Sequence, residues 1–417
     1  MSTTKAAALV AVVAVASAAV VALASRAPAS LRRAEPGDGA TDPSLGASFS
    51  DEQVARHGAY RGPSYLALGL SVAVEATVLV VLARGPMARA VAALERLPGG
   101  VVVHAALAGV LVALVLALAA VPLGFVRGFV VERAWGLSTQ DLAGWLSDRA
   151  RGAAVGAVVS AIAAVAFFAV ARAWPRAWWI VGWVAFSALT ALLVYLAPVV
   201  VAPLFNRFTP LEQGPLRARV VALARDAGVD VGDVLVADAS RRTTAENAYV
   251  AGLWGTKRMV LYDTLVDAGD RRETEFVVAH ELGHAAENHV AKNVAAASAT
   301  LLVAFGALGW LATRRGPWAW AGASGVADLR AIPVLLLFAL AGTLLAMPLE
   351  NWVSRRFEAR ADTIAIELTG DPDTAVRVFR RLAFANLADL RPPPAAVWAL
   401  YTHPPIPDRI RAATSPR

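Results

Sequence analysis

The sequence predicts a mainly α, polytopic membrane protein of about seven transmembrane helices, with a small α+β unit set between them. Three observations carry that prediction. Hydrophobic residues make up 57% of the 417 residues and charged residues only 17%, against roughly 25% charged in soluble domains. Seven stretches stay apolar for about the 20 residues that a bilayer crossing needs. Between the fifth and sixth of them, residues 203–293 form the single large polar insertion.

The first five apolar stretches are Ala6–Ala24, Tyr65–Ala83, Val101–Val121, Gly152–Ala171 and Ala177–Val201, and they make residues 1–202 a membrane region. Two polar loops interrupt it. Residues 26–62 are rich in Ala, Ser, Pro and Gly and read as a linker, whereas 124–151 show a helical pattern around Trp135 to Asp148. Residues 294–349 hold the last two spans, Val294–Ala312 and Ala331–Leu349, and 350–417 form a polar tail. Trp174, Trp178, Trp179, Trp310, Trp318 and Trp320 cluster at span ends, as interfacial anchors do. The first stretch has an alternative as a signal peptide, with Lys5 ahead of it and Ala22-Leu23-Ala24 as a cleavage site. Its apolar run exceeds the usual signal core, which favours an uncleaved helix. Glu75 lies within the second span and His104 near one end of the third. Such groups usually face a cavity, but a helix–helix hydrogen bond explains them equally well, and neither is given a catalytic role.

Counting spans puts 26–62, 124–151, the insertion and the tail on one face of the membrane. Most arginines lie on that face, so the positive-inside rule places the insertion and tail in the cytoplasm. Abundant alanine, and arginine supplying nearly all of the 39 basic residues, point to a GC-rich bacterial genome and hence a bacterial plasma membrane. The net charge of +7 suits anionic lipid headgroups; no basic and aromatic interleaving marks a nucleic-acid surface.

Within the insertion, Leu211–Ala227 have helical periodicity and Val231–Ala237 alternate as a strand. Ala245–Leu253 and Arg258–Tyr262 read as two further strands around a glycine-containing turn. A helix follows from about Arg272, with Glu273 and Glu275 in its first turn favouring the dipole.

That helix carries the chemistry. His280-Glu281-Leu282-Gly283-His284 places two histidines one turn apart, about 40° from each other on one face. Both imidazoles can then reach one zinc ion, with Glu281 beside the water that the ion would bind. The chain has no cysteine, so nitrogen and oxygen must hold any metal. A metzincin would need glycine and histidine where Glu287 and Val290 stand. His289 falls on the opposite side of a continuous helix from the pair, and reads as structural or as a surface contact. Asp328 is on the wrong side of the membrane and Glu350 at its boundary, which leaves Glu358 as the best third ligand.

Height agrees. If the zinc helix runs unbroken into the sixth span, His284 stands about 15 Å above Val294, and Glu358 about 13 Å beyond Leu349. Asp362 shares the face of Glu358 and could accept a hydrogen bond from a ligand imidazole. The competing reading of Glu358 and Asp362 is a solvated helix face patterned with Arg355, Arg356 and Arg360.

Several spaced segments resemble the type I CAAX prenyl endopeptidases, a family of membrane zinc metalloproteases, over nearly the full length. They are Pro203 to Leu211, Asp238 to Arg242, Asn247-Ala248-Tyr249, Lys257 to Leu265, the zinc motif, Ser354 to Asp362 and Thr402-His403-Pro404-Pro405. The loop Glu132 to Asp148 is similar too. The resemblance implies seven helices enclosing a chamber, a gluzincin-type zinc domain with one Zn2+ per chain, and Glu358 as third ligand. It further implies that His403, with help from Arg409, stabilises the oxyanion; a capped loop histidine is the alternative. It makes Asn247, Ala248 and Tyr249 the edge strand that binds extended peptide, where an ordinary sheet strand is the bland reading.

The expected activity is hydrolysis of peptide bonds by a zinc-bound water with Glu281 as general base, and the resemblance implies removal of the C-terminal tripeptide after a prenylated cysteine from a peptide or protein C-terminus. Two other readings stay open: a general quality-control protease of the membrane, and a polytopic binding or transport protein with a structural zinc. Glu281 speaks against the last, since structural zinc sites are closed by four protein ligands and need no base. The sequence is silent on oligomeric state.

Overall fold

The computed structural model describes residues 3–28, 31–32, 49–230, 232–268 and 270–415. Seven of its helices are long and apolar enough to cross a membrane, and the chain is a multi-pass integral membrane protein. They are α1 (Thr3–Ala24), α2 (Asp51–Ala83), α4 (Gly100–Phe125), α5 (Leu142–Ala173), α6 (Trp178–Leu196), α9 (His289–Ala312) and α10 (Ile332–Thr369), with the short α3 (Pro86–Leu94) after α2. Their most exposed apolar side chains, such as Leu118, Val303 and Leu345, lie within the spans and form a lipid-facing surface. Between α4 and α5 the helices meet over small residues: a Cβ added at Gly109 would come within 2.6 Å of the Ser160 carbonyl.

Several spans outrun the apolar stretches that announce them. The linker expected over 26–62 ends early, because Ser50 and Gln53 form a reciprocal capping box that starts α2 at Asp51. Much of the remaining linker, like Val231 of the expected strand, falls outside the described residues. The expected helical pattern at Trp135 to Asp148 is divided. A wide π-helical turn (Val126–Val131) extends α4 to Ala134, the chain then straightens, and Asp141 caps the start of α5. The straight piece clasps the insertion: Thr139 N–H donates to the Arg242 carbonyl at 3.1 Å, and Arg242 Nε to Asp148 at 2.7 Å.

The insertion holds α7 (Pro215–Asp226) and a four-stranded sheet of β1 (Phe208–Pro210), β2 (Asp233–Ala237), β3 (Ala248–Ala251) and β4 (Arg258–Tyr262) in the order β1-β2-β4-β3. β1 was not expected; three residues ending in proline give no alternation to read. Among the described residues β3 pairs only with β4, antiparallel, which leaves its other edge open. Below the sheet runs α8 (Arg271–Ala286), started by Asp270, whose side chain accepts from the Arg272 and Glu273 amides. Its Phe276, Val278 and Leu282 are buried in a core shared with the sheet, α7 and Phe379 of α11 (Pro372–Ala385). On another side it presses against α10, where Gly283 allows the approach: a Cβ there would sit 3.2 Å from Ala361 Cα.

The zinc helix does not run unbroken into the sixth span. Asn288 takes a left-handed conformation (φ 53°, ψ 39°) between α8 and α9, which asparagine tolerates better than most residues. By contrast, α10 is continuous through Pro348 for 38 residues, to the left-handed Gly370. The tail ends in α12 (Ile406–Thr414), packed on α11 and α10.

Candidate metal centre

α8 and α10 bring His280, His284 and Glu358 together. The two Nε2 atoms are 3.1 Å apart, and each lies 3.3 Å from a Glu358 carboxylate oxygen. A tetrahedral zinc with ligands at 2.0–2.1 Å sets its donor atoms about 3.3–3.4 Å apart. The Nε2–Nε2 separation and the contact of each Nε2 with its own Glu358 oxygen are of that size. Glu358 Oε2 is buried without a well-formed hydrogen bond; its neighbours are Nε2 of His280 and Nε2 of His403, each at 3.3 Å. A buried carboxylate beside the Nε2 atoms of His280 and His284 is a place for a cation, so the residues fit a zinc ion.

Positive charge is what His280 itself is drawn to. Burial lowers its pKa, but hydrogen bonds to Asp362 and Glu358 outweigh that and lift it to about 10. Its Nδ1 lies 2.9 Å from Asp362 Oδ1. Arg409 donates from Nε to the other Asp362 oxygen at 2.8 Å and from Nη2 to the first. Nine-tenths buried, its guanidinium lies 4.3 Å from the Phe379 ring centre. Arg409 therefore meets the site through Asp362: it fixes the carboxylate that fixes the imidazole.

His284 has its own support, which the sequence reading missed. Its Nδ1 lies 2.9 Å from Nδ1 of His289. The break at Asn288 turns His289 out of the helical wheel of α8 and round to face the ligand. His289 is 3% exposed and stacks on Phe357 at 4.1 Å, with 11° between the rings. For His284 Nε2 to offer a lone pair, its Nδ1 must carry the proton and donate to His289 Nδ1. Partners of that kind typically change metal affinity 10–100-fold. His289→Phe, which preserves the stack, is expected to weaken zinc binding by about 10–100-fold in chelator competition. An unchanged affinity would show that the ring only packs. The asparagine directly before His289 was the available signal.

Glu281 faces the same cavity from the neighbouring position. Burial raises its pKa, against the pull of His280 and His284, and the Val250 N–H of β3 donates to its Oε2 at 3.2 Å. A carboxylate with raised proton affinity is suited to taking a proton near neutral pH. His403 is more than half exposed, with Nδ1 2.8 Å from Thr402 Oγ1. It reaches the site edge opposite the zinc helix from the turn before α12.

Asn247, Ala248 and Tyr249 enter the open edge strand. The Asn247 carbonyl accepts from Tyr262 N–H at 3.0 Å, so it points into the sheet. Alternation then turns the Ala248 and Val250 backbone groups to the open edge. A cavity of about 840 Å³ joins this edge to Glu281, His280, His403 and the wall made by α2. Glu75 and His104 stand apart from it; His104 Nε2 is 2.9 Å from the Leu97 carbonyl.

Comparison with known proteins adds an independent view. Residues 210–417 match the family described as Peptidase family M48, and residues 44–207 match that described as CAAX prenyl protease N-terminal, five membrane helices. YhfN, an uncharacterized metalloprotease of Bacillus subtilis, is 30% identical over 302 residues, 72% of this chain and 71% of its own. A CAAX prenyl protease 1 homolog of Oryza sativa subsp. japonica is 30% identical, over 70% of this chain and 68% of its own. The CAAX prenyl protease 1 of Saccharomyces cerevisiae is 27% identical, over 70% and 68%. The fold is that of the S. mikatae Ste24p crystal structure, with TM-score 0.78 over 97% of both chains at 22% identity.

Proposed function

The chain belongs to the CAAX prenyl protease family within Peptidase family M48 and is an integral-membrane metalloprotease; from that premise we propose a zinc endopeptidase that cuts near the C-terminus of lipidated protein substrates. The observation that carries the proposal is one cavity lined by His280 of the three-ligand site, by the Glu281 carboxylate beside it and by an open strand edge.

Zinc held by His280, His284 and Glu358 would supply Lewis acidity to the scissile carbonyl and to the attacking water. The chain's own residues do the rest. An extended peptide adds to the open edge of β3 through main-chain hydrogen bonds, which align it without demanding one side-chain sequence. Glu281 takes a proton from the attacking water and returns it to the leaving amine, held in place by the Val250 N–H. His403 Nε2, across Glu358 from the ligand pair, donates to the oxyanion. Asp362, clamped by Arg409, keeps His280 oriented so that its Nε2 faces the site. A structural zinc would leave Glu281 without a task.

The relatives named for CAAX prenyl proteolysis support a prenylated C-terminus as substrate, and the chain's span composition supports action at a bilayer. Alanine and arginine usage support a bacterial plasma membrane, and the arginine-rich face supports a cytoplasmic catalytic unit. The test is a pair of peptides of equal sequence, one farnesylated at its cysteine. The farnesylated peptide should be cleaved faster by tenfold or more, on the order of 1.4 kcal/mol of extra transition-state binding. Equal rates would instead mark a general membrane peptidase.

A further inference from the structure

We propose that Arg61, on the α2 wall of the cavity, binds the terminal carboxylate of the peptide being cut. The inference rests on the peptidase reading above and assigns it a second anchor.

Arg61 is half-buried and lines the same cavity as Glu281. Its Nε donates to the Leu387 carbonyl at 2.7 Å and its Nη2 to the Asn386 carbonyl at 2.9 Å. Two carbonyls and the Tyr60 ring, 5.3 Å from its Cζ, thus fix the guanidinium but give it no counter-ion. Among the described residues Arg61 has no acidic partner, and its Nη1 donates to nothing. The acids of that wall are engaged elsewhere: Glu132 accepts from Arg127 and from Tyr60 Oη, and Asp389 from Tyr65 Oη and the Arg391 amide. Arg409, the other cavity cation, is spent on Asp362. A rigid, half-desolvated guanidinium facing a cavity with a donor to spare is a carboxylate site by chemistry.

Its place along the edge strand gives the length of what it would hold. Val250 marks the catalytic position, since its N–H meets Glu281. Four residues upstream, the Glu246 carbonyl lies 3.4 Å from Asn386 Nδ2, and the Asn386 carbonyl meets Arg61. Four residues of extended chain span at most about 13 Å. A peptide adding antiparallel to β3, the more stable pairing, sends its C-terminal residues toward Glu246 and hence toward Arg61. At most about four residues beyond the cut bond reach this end of the strand, where Arg61 would meet the carboxylate.

The test uses one unlipidated peptide in two forms, with a free C-terminal carboxylate or a C-terminal amide. Binding is read by fluorescence anisotropy on full-length Glu281→Gln protein, so that no turnover is needed. The free acid should bind about tenfold or more tightly than the amide. Adding Arg61→Gln should bring that ratio close to one, and Arg61→Lys should keep part of it. Equal affinity of the acid and amide for the Glu281→Gln protein overturns the proposal, as does a ratio that survives Arg61→Gln. Cleavage by the unaltered enzyme is scored separately on the farnesylated peptide of the same sequence: binding with the acid preference but no cleavage of that peptide rejects the peptidase reading, not the anchor.

Discussion

Glu281→Gln should retain its full complement of zinc and lose turnover by about 10²- to 10⁴-fold, the contribution of a positioned general base. Glutamine keeps the size of the side chain and can still meet the Val250 N–H that holds Oε2 at 3.2 Å. It cannot take a proton. The ligand triangle of His280, His284 and Glu358 does not include this side chain, so metal content by mass spectrometry should stay near one zinc per chain. The unfolding temperature should hardly move. Because the change acts on the chemical step, kcat should fall and KM should stay close to its original value. Turnover within tenfold of the unaltered enzyme would remove Glu281 from the mechanism.

Glu358→Ala should do the opposite and lose the metal itself. Glu358 closes the triangle from α10, and nothing else among the described residues brings a carboxylate within reach of both Nε2 atoms. Zinc affinity should fall by more than the roughly 100-fold at the upper end of losses seen when an outer partner of a ligand is removed. Bound metal also ties α8 to α10. A ligand present at about 1,000 times its Kd stabilises the folded state by about 4.1 kcal/mol. Chelator should therefore lower the melting temperature of the unaltered protein and leave Glu358→Ala unmoved. If Glu358→Ala carries stoichiometric zinc, the third ligand lies elsewhere.

Much of this was legible in the chain, for physical reasons that can be named. Twenty-residue apolar runs have few alternatives to a membrane span, so all seven could be read. Histidines at i and i+4 leave one geometry, and elimination of acids by membrane side led to Glu358 on a helix that is indeed continuous through Pro348. Other features depend on single backbone choices that periodicity does not record. The turn at Asn288 rotates everything after it, so His289 faces His284 although a helical wheel sends it away. α2 starts at a capping box rather than at its first apolar residue, because helices outlast the hydrocarbon that they cross. Arg61 drew no notice, because an arginine just ahead of an apolar run usually marks only the membrane interface. Its meaning comes from Asn386 and Leu387, more than three hundred residues away.

Splitting the ligands between α8 and the far end of α10 has a consequence for biogenesis. During synthesis His280 and His284 emerge well before Glu358, with two membrane crossings still to be inserted between them. No nascent or half-inserted chain can assemble the centre, so the enzyme stays inert until its last span has docked. With zinc held by the proposed ligands, metal capture would be the final checkpoint of assembly, and a host membrane would be spared an active hydrolase before its walls are in place.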